Sequence, residues 1–172
     1  MFIDVQEKLV AAMPETFTET VAKQKILLEG AKALGVSTIV TEQYPKGLGS
    51  TIGEIADAFD PEWPVFEKTA FSALGEPAVR TELGETPTET LVVAGIEAHV
   101  CVLQTVLDSL DQGWDTIVLA DAVDSRKNLD KQTALAAAES AGARVWTVES
   151  LLFALTRDAK NPAFKTISKL VR

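Results

Sequence analysis

Cysteine and histidine are nearly missing from this chain, since its 172 residues include one of each, Cys101 and His99. A single cysteine cannot close an internal disulfide, and it cannot supply a thiolate cage for a metal ion. A single histidine likewise argues against a histidine-rich metal site, so we predict neither a metal nor any other cofactor. The thiol of Cys101 is left with three roles: a packed core residue, a redox sensor or a nucleophile.

Positive charge is also scarce. Lysine and arginine number 16 against 25 aspartates and glutamates, which gives a net charge of −9. The basic residues do not gather into a stripe, so the chain offers no landing surface for phosphate groups. We therefore do not expect nucleic acid as a partner, and a small-molecule substrate suits the composition better.

Long apolar runs are absent, because every apolar stretch falls far short of the roughly 20 residues that span a bilayer. The first residues, MFIDVQEKLV, show neither a basic region nor a cleavage site of a signal peptide. We therefore expect a soluble, cytoplasmic protein without membrane contact. A length of 172 residues with 47% hydrophobic composition suits one globular domain with a sizeable core.

What the sequence does contain is an alternation of strand-like and helix-like segments. Apolar runs rich in β-branched residues predict strands at 2–5, 37–41, 65–68, 90–95, 115–121 and 143–148. Apolar residues at helical spacing predict helices at 16–35, 97–113 and 128–143, which end near Gly35, Gly113 and Gly142. The tail, 151–172, predicts two further short helices. Nearly continuous apolar strands joined by helices are typical of a parallel sheet covered on both faces, so we predict a three-layer α/β fold.

Three reactive side chains stand where predicted strands end. Asp4 closes the first apolar run, Lys68 closes VFEK, and Cys101 follows TLVVAG near the first turn of a helix. Because ligands of open α/β sheets bind at the carboxyl ends of the strands, the sheet should bring the three side chains to one rim. Each also has an ordinary interpretation: a helix N-cap for Asp4, a solvated lysine for Lys68 and core packing for Cys101.

Other polar and aromatic residues near this rim allow several interpretations. His99 and Cys101 would point about 200° apart in one helical turn, so a protease-like pair is not predicted. Glu42 alone is a poor metal ligand. The run 47–53, GLGSTIG, is only loosely similar to a dinucleotide fingerprint and fits a flexible wall of the site better. The aromatic residues of this region, which either line a pocket or cover the core, are Trp63, Phe66 and Phe71.

Five stretches together resemble one known family. They are IDVQEKL, TEQYPKGLG, FEKTAFSA, GIEAHVCVLQT and DAVDSR, and they are distributed over essentially the whole chain. They resemble the isochorismatase-like cysteine hydrolase superfamily, and within it most closely the isochorismatase-domain-containing branch. The resemblance implies one hydrolase domain over 1–172 with a Rossmann-like, six-stranded parallel sheet of order 3-2-1-4-5-6. It also implies a catalytic triad of Asp4, Lys68 and Cys101, the same residues that the strand ends indicate.

The resemblance further implies the shape of the turn before the nucleophile. A cis peptide bond should join Ile96 and Glu97, although neither residue is proline. The backbone N–H groups of residues 97–101, including those of Ala98 and Val100, should then turn toward a substrate oxygen. This arrangement would form an oxyanion hole.

The resemblance also limits the chemistry. Nicotinamidases of the superfamily bind a metal through an aspartate and several histidines after the second strand, where this chain has TEQYPKGLG, so metal-assisted nicotinamide hydrolysis is not expected. True isochorismatases, which cleave a vinyl ether, do not use this cysteine. Members form dimers and larger rings, so we expect a homo-oligomer. The residues that we expect to contact the substrate are Gln6, Glu42, Tyr44, Phe71 and His99.

The combined prediction is a metal-free cysteine hydrolase acting on a small amide or related C–N bond through a thioester. Asp4 would take the thiol proton, Lys68 would hold the Asp4 carboxylate and lower the thiol pKa, and Cys101 would attack the carbonyl carbon. Two alternatives remain open. One is a non-catalytic binding or assembly module of the same fold, and the other is a redox-sensing thiol protein.

Overall fold

A computed structural model describes residues 1–86 and 89–172. Within these residues the centre of the molecule is a sheet of six strands, all of whose neighbouring pairs are parallel, in the order β3-β2-β1-β4-β5-β6. The strands are β1 (Phe2–Ile3), β2 (Val40–Gln43), β3 (Val65–Lys68), β4 (Thr90–Ile96), β5 (Asp115–Asp124) and β6 (Arg144–Trp146). The predicted fold class and strand order are confirmed.

Helices lie between the strands and in the tail. They are α1 (Glu7–Val10), α2 (Phe17–Leu34), α3 (Pro45–Leu48), α4 (Gly53–Ala56), α5 (Pro77–Glu85), α6 (Leu103–Asp111), α7 (Asn128–Ser140), α8 (Val148–Thr156) and α9 (Phe164–Leu170). A 3₁₀ turn covers Ala73–Gly75, and a π-helical turn covers Ala98–Val102 directly before α6. The helix predicted over 97–113 therefore begins as a wider turn. Among the described residues, no helix has the length and apolar character needed to cross a membrane.

The core has two halves, one on each face of the sheet. On one face Phe2, Leu28 and Leu152 belong to a buried apolar cluster that α2, α8 and α9 cover. On the other face Ile3 and Val106 belong to a second cluster, beneath the side of the molecule formed by α6 and α7. Phe2 and Ile3 separate in this way because successive side chains of a strand point to opposite faces. The molecule is therefore a three-layer sandwich, as predicted.

Several strand boundaries differ from the sequence-based prediction, and those of β1 and β2 shape the rim of the sheet. The strand β1 stops at Ile3 because Asp4 takes a left-handed backbone conformation, with φ of 55°. Aspartate tolerates this conformation better than most residues. The strand β2 begins at Val40, later than predicted, and runs on to Gln43. Both changes bring polar side chains to the carboxyl end of the sheet.

Candidate active site

A buried ion pair lies at the carboxyl end of the sheet. Lys68 Nζ donates to Asp4 Oδ2 at 2.6 Å, and both side chains are 0% exposed. Lys68 Nζ also lies within hydrogen-bond distance of Gln43 Oε1 (2.7 Å) and of the carbonyl oxygens of Ala70 (3.3 Å) and Phe71 (3.0 Å). Since a buried charge is costly unless it is paired and hydrogen-bonded, these acceptors explain how the ammonium group is accommodated.

The strand β2 lies between β1 and β3 and supplies further hydrogen-bond partners to this ion pair. Lys68 is in register with Gln43 of β2, and its side chain reaches past β2 to Asp4 at the end of β1. Thr41 donates its hydroxyl to Asp4 Oδ1 at 2.7 Å, so both carboxylate oxygens accept a hydrogen bond. As the predicted strand order requires, β2 separates β3, which Lys68 ends, from β1, which Asp4 follows, and it supplies two polar partners to the pair.

Cys101 is buried beside this ion pair, in the π-helical turn before α6, with 5% of its surface exposed. Burial, followed by the negative charge of Asp4, raises the pKa of the thiol from 9.0 to about 12, although Lys68 acts in the opposite direction. The thiol is therefore almost entirely protonated at neutral pH. Lys68 lowers the thiol pKa as predicted, but desolvation and the charge of Asp4 outweigh it, so the net shift is upward.

Gly95 allows β4 to approach β1 closely enough for this arrangement. It pairs with Ile3 and has φ of 118°, a conformation that side chains rarely allow. A Cβ atom at this position would lie 2.0 Å from the carbonyl oxygen of Ile3. Glycine is thus required by both conformation and space, and it sets the turn that carries Cys101 next to the end of β1.

The turn before Cys101 has the shape that the family resemblance implies in one respect and departs from it in another. The peptide bond between Ile96 and Glu97 is cis. The carbonyl oxygen of Glu97 accepts hydrogen bonds from the N–H groups of Val100 (3.1 Å) and Val102 (3.2 Å). The Val100 N–H group, expected to face a substrate oxygen, is therefore engaged inside the turn, and Ala98 beside it is buried.

The segment after β5 holds the same turn from the other side. Arg126 Nε donates to Glu97 Oε1 at 2.8 Å, and the Glu97 carboxylate raises the pKa of the Arg126 guanidinium. Ser125 Oγ and His99 Nδ1 share a hydrogen bond of 2.9 Å. His99 is half-buried. Through these contacts Glu97 and His99 support the turn, and the expected contact of His99 with substrate stays a prediction.

The expected substrate contacts divide into two groups. Gln6 is fully buried, where its amide bonds the backbone of Gln43 and the carbonyl oxygen of Gly49. Glu42 accepts from both the N–H group and the hydroxyl of Thr51. Gln6 and Glu42 therefore hold the segment 42–51 in place, and their expected contact with substrate stays a prediction.

The second group remains at the surface. Tyr44 and Phe71 flank Lys68 and are 55% and 53% exposed. The Tyr44 N–H group donates to the Lys68 carbonyl oxygen at 2.8 Å, so the backbone of Tyr44 lies beside the end of β3. Trp63 and Phe66, by contrast, pack against the buried clusters, as their alternative interpretation predicts.

Among residues 1–86 and 89–172, no group of three or more histidine, cysteine, aspartate or glutamate side chains has a geometry that could hold a metal ion. A cavity of about 610 Å³ does exist, but its lining includes Met1, Ser37, Trp63 and Thr90, at the amino ends of the strands. This cavity lies at the opposite end of the sheet from Asp4, Lys68 and Cys101. We therefore place the candidate active site by its chemistry and not by cavity size.

Sequence reasoning missed several residues that contact the ion pair or the turn that carries Cys101, namely Thr41, Gln43, Ser125 and Arg126. Thr41 and Gln43 follow the apolar part of β2, and their position at a strand end was the only available signal. Ser125 and Arg126 belong to DAVDSR, a stretch that carried the family resemblance but received no role of its own.

The sequence matches a known protein family over most of its length. The model of the isochorismatase domain family matches residues 1–150. Isochorismatase domain-containing protein 2 of Bos taurus is 40% identical over 171 residues, which cover 98% of this chain and 80% of that protein.

Solved structures give the same result for the fold. The structure of MAR1 ribonuclease from Caenorhabditis elegans has a TM-score of 0.92 and 38% identity, covering 99% of this chain and 86% of that one. The Escherichia coli YcaC gene product, described as an octameric hydrolase of unknown specificity, has a TM-score of 0.90. Its identity is 22%, with 98% of this chain and 83% of that chain covered, so this likeness concerns the fold alone.

Proposed function

The chain belongs to the isochorismatase family, and within this hydrolase family we propose that it is a metal-free cysteine hydrolase acting on a small amide or related C–N bond. One observation carries the proposal: the chain's only cysteine lies beside a fully buried aspartate–lysine ion pair at the carboxyl end of the sheet. A nucleophile, a proton acceptor and an orienting charge are the groups that acyl transfer requires.

The first half of the proposed reaction forms a thioester. Asp4 takes the thiol proton while Cys101 Sγ attacks the carbonyl carbon, and the carbonyl π electrons move to the oxygen. The C–N bond then breaks, and the proton on Asp4 passes to the leaving amine. Lys68 holds the Asp4 carboxylate in place and stabilises its charged form before the transfer.

The second half returns the enzyme to its starting state. A water molecule gives a proton to Asp4 and attacks the thioester carbon, and the C–S bond breaks. Asp4 then returns the proton to the sulfur of Cys101. The sum of the two halves is one amide and one water converted to one carboxylic acid and one amine.

The backbone near Cys101 would stabilise the oxyanion of both tetrahedral intermediates. The Glu97 carbonyl accepts from residues 100 and 102, so the N–H group of Cys101 lies outside this pair of bonds. We propose that the oxyanion is bound at this N–H group. Preorganised backbone donors of this kind are worth about 10²–10³-fold in rate per donor.

A protonated resting thiol is compatible with this mechanism. Burial raises the pKa of the Cys101 thiol to about 12, so the proposed resting nucleophile is the neutral thiol. Proton transfer to Asp4 must then accompany the attack on the carbonyl carbon. The reaction rate should therefore depend more strongly on Asp4 as a general base than on ionisation of the Cys101 thiol before the attack.

A screen of small amides tests the proposal. The protein is incubated with acetamide, propionamide, benzamide and nicotinamide, and acid-quenched samples are measured by intact mass and peptide mapping. We expect release of ammonia with an acyl group on Cys101 for at least one amide, and neither in Cys101→Ser. A chelator should leave the turnover unchanged. Turnover that survives in Cys101→Ser would contradict the proposal.

The alternatives predict different results in the same experiment. A binding or assembly module would give neither adduct nor ammonia. A redox-sensing thiol would give reversible oxidation by dilute peroxide without hydrolysis. Ribonuclease activity, by which the Caenorhabditis elegans relative is described, is disfavoured by the net charge of −9.

We also propose that the chain forms a homo-oligomer. Exposed apolar side chains in the tail, Phe153 and Leu155, would be covered by a second copy, and the related fold of the YcaC gene product is described as octameric. Light scattering at micromolar concentration should give a multiple of 18.5 kDa. A monomeric mass would contradict this proposal.

A further inference from the structure

One buried hydroxyl links the turn that carries Cys101 to the segment that surrounds Lys68. Thr105 of α6 donates its hydroxyl to the Cys101 carbonyl oxygen at 2.7 Å. The hydroxyl oxygen of Thr105 in turn accepts from the backbone N–H group of Ala73 at 2.9 Å. Thr105 is 0% exposed, so water does not compete for either bond.

The bond from Thr105 to the Cys101 carbonyl oxygen is of a kind common in helices, whereas the bond from the Ala73 N–H group to Thr105 is not. Thr81, Thr86 and Thr156 also donate to the carbonyl oxygen four residues earlier. Such a bond satisfies a helical hydroxyl without fixing any other element. Thr105 additionally accepts from a separate segment of chain, and this acceptance joins two elements that are 32 residues apart.

The segment joined in this way is the one that holds Lys68. Ala70 and Phe71 present their carbonyl oxygens to Lys68 Nζ, and Ala73 follows them at the start of the 3₁₀ turn. The hydroxyl of Thr105 therefore bridges the backbone at Cys101 and the backbone two residues beyond Phe71. These bonds connect the turn that carries the thiol to the segment that surrounds the ammonium group, which in turn binds the Asp4 carboxylate.

We infer that Thr105 is a positioning residue of the proposed hydrolase, which holds Cys101 in register with Lys68 and Asp4 by accepting the Ala73 N–H group. The inference rests on Cys101 being the nucleophile proposed above. A misplacement of about 1 Å in a catalytic group can reduce turnover on the order of 10²-fold, so loss of the bridge should be visible in kcat.

Thr105→Val tests the bridge because valine keeps the shape of threonine and removes the hydroxyl. Thr105→Ser keeps the hydroxyl and removes the methyl group. The matched control is Thr116→Val, which removes a buried hydroxyl at the amino end of β5. Thr116 Oγ1 shares a 2.7 Å hydrogen bond with Ser109 Oγ, far from the carboxyl end of the sheet.

Two readouts separate positioning from general stability. The first is the pH profile of Cys101 alkylation by iodoacetamide, followed by intact mass. Without the bridge the thiol should be less tightly enclosed, so we expect the Thr105→Val profile to move about one pH unit lower, with alkylation at pH 8 about tenfold faster. The second is hydrolysis of the best amide of the panel, where kcat should fall at least tenfold with KM changed less than threefold.

Faster alkylation together with slower hydrolysis in one variant supports the inference, provided that Thr105→Ser restores both and Thr116→Val changes neither. An alkylation profile within 0.2 pH units of the wild type in folded Thr105→Val would overturn the inference, as would an equal change in Thr116→Val. If wild-type protein hydrolyses no amide, the proposed function fails, while the alkylation profile still decides whether Thr105 places the thiol.

Discussion

The buried pair of Asp4 and Lys68 should behave as one unit in stability, and a double-mutant cycle can measure this. Asp4→Asn leaves the Lys68 ammonium without its carboxylate, and Lys68→Met leaves the Asp4 carboxylate without its cation. Both side chains are fully buried. Removing one partner of a buried pair costs about 3–5 kcal/mol, because the remaining charge is uncompensated. Each single variant should therefore lose that much of its free energy of unfolding.

The double variant should lose far less than the sum of the two. With both charges gone, the remaining cost comes from polar neighbours that lose a partner, such as Gln43 Oε1 and the Thr41 hydroxyl. An unsatisfied buried polar group costs about 1–3 kcal/mol, and the amide introduced by Asp4→Asn can still bond one of these neighbours. We expect about 1–3 kcal/mol for the double variant against about 6–10 kcal/mol for the sum of the single ones.

Urea unfolding followed by tryptophan fluorescence measures all four proteins of the cycle. The exposed pair of Lys25 and Glu54, at 3.2 Å, provides the matched control, and its own cycle should give a coupling below about 1 kcal/mol. If Asp4→Asn and Lys68→Met do not fold while the double variant does, the coupling is equally evident. Additive losses in the buried cycle would refute the reasoning.

Three further predictions concern the thiol and the turn that carries it. Asp4 raises and Lys68 lowers the pKa of Cys101, so the pH profile of iodoacetamide alkylation should move to lower pH in Asp4→Asn and to higher pH in Lys68→Met. Asp4→Asn should also abolish hydrolysis. Shifts of the opposite sign would contradict the assigned charges. Gly95→Ala should prevent folding because its Cβ atom would meet the backbone of β1, whereas Gly53→Ala, which meets nothing within 4 Å, should fold normally by circular dichroism. The raised pKa of Cys101 stabilises the folded protein fully below pH 9, and this contribution is lost as pH rises from 9 toward 12, at up to about 1.4 kcal/mol per pH unit. Urea unfolding should therefore show wild-type protein losing stability more steeply than Cys101→Ala in that range, and parallel losses would contradict a buried neutral thiol.

The sheet could be predicted well where its strands are buried on both faces. TLVVAG and DTIVLAD predict strands at 90–95 and 115–121, and both form long strands, β4 and β5, which run on to Ile96 and Asp124. The first strand was predicted too long because its end depends on the left-handed conformation of Asp4, which the sequence does not reveal. The helices α3 and α4 were missed because four residues are too few to show a helical period.

In the candidate site, the sequence predicts where the reactive side chains lie but not the environment that surrounds them. The rule that ligands bind at the carboxyl ends of parallel strands was enough to predict that Asp4, Lys68 and Cys101 lie at one rim of the sheet. The sign of the thiol pKa shift could not be predicted, because it depends on burial by residues distant in sequence. Gln6 and Glu42 carry suitable groups for a ligand, yet both bond the chain itself, and residue type alone does not separate these roles.

The state of the thiol also distinguishes hydrolysis from redox sensing. Peroxide reacts with the thiolate, so a sensor cysteine needs a low pKa and access to solvent. Cys101 has neither, since it is 5% exposed and burial raises its pKa to about 12. A hydrolase with Asp4 as proton acceptor needs no resting thiolate, because the proton can leave as the sulfur attacks a bound carbonyl group. A buried neutral thiol therefore disfavours the sensor and is compatible with the proposed nucleophile, which acts once a substrate occupies the site.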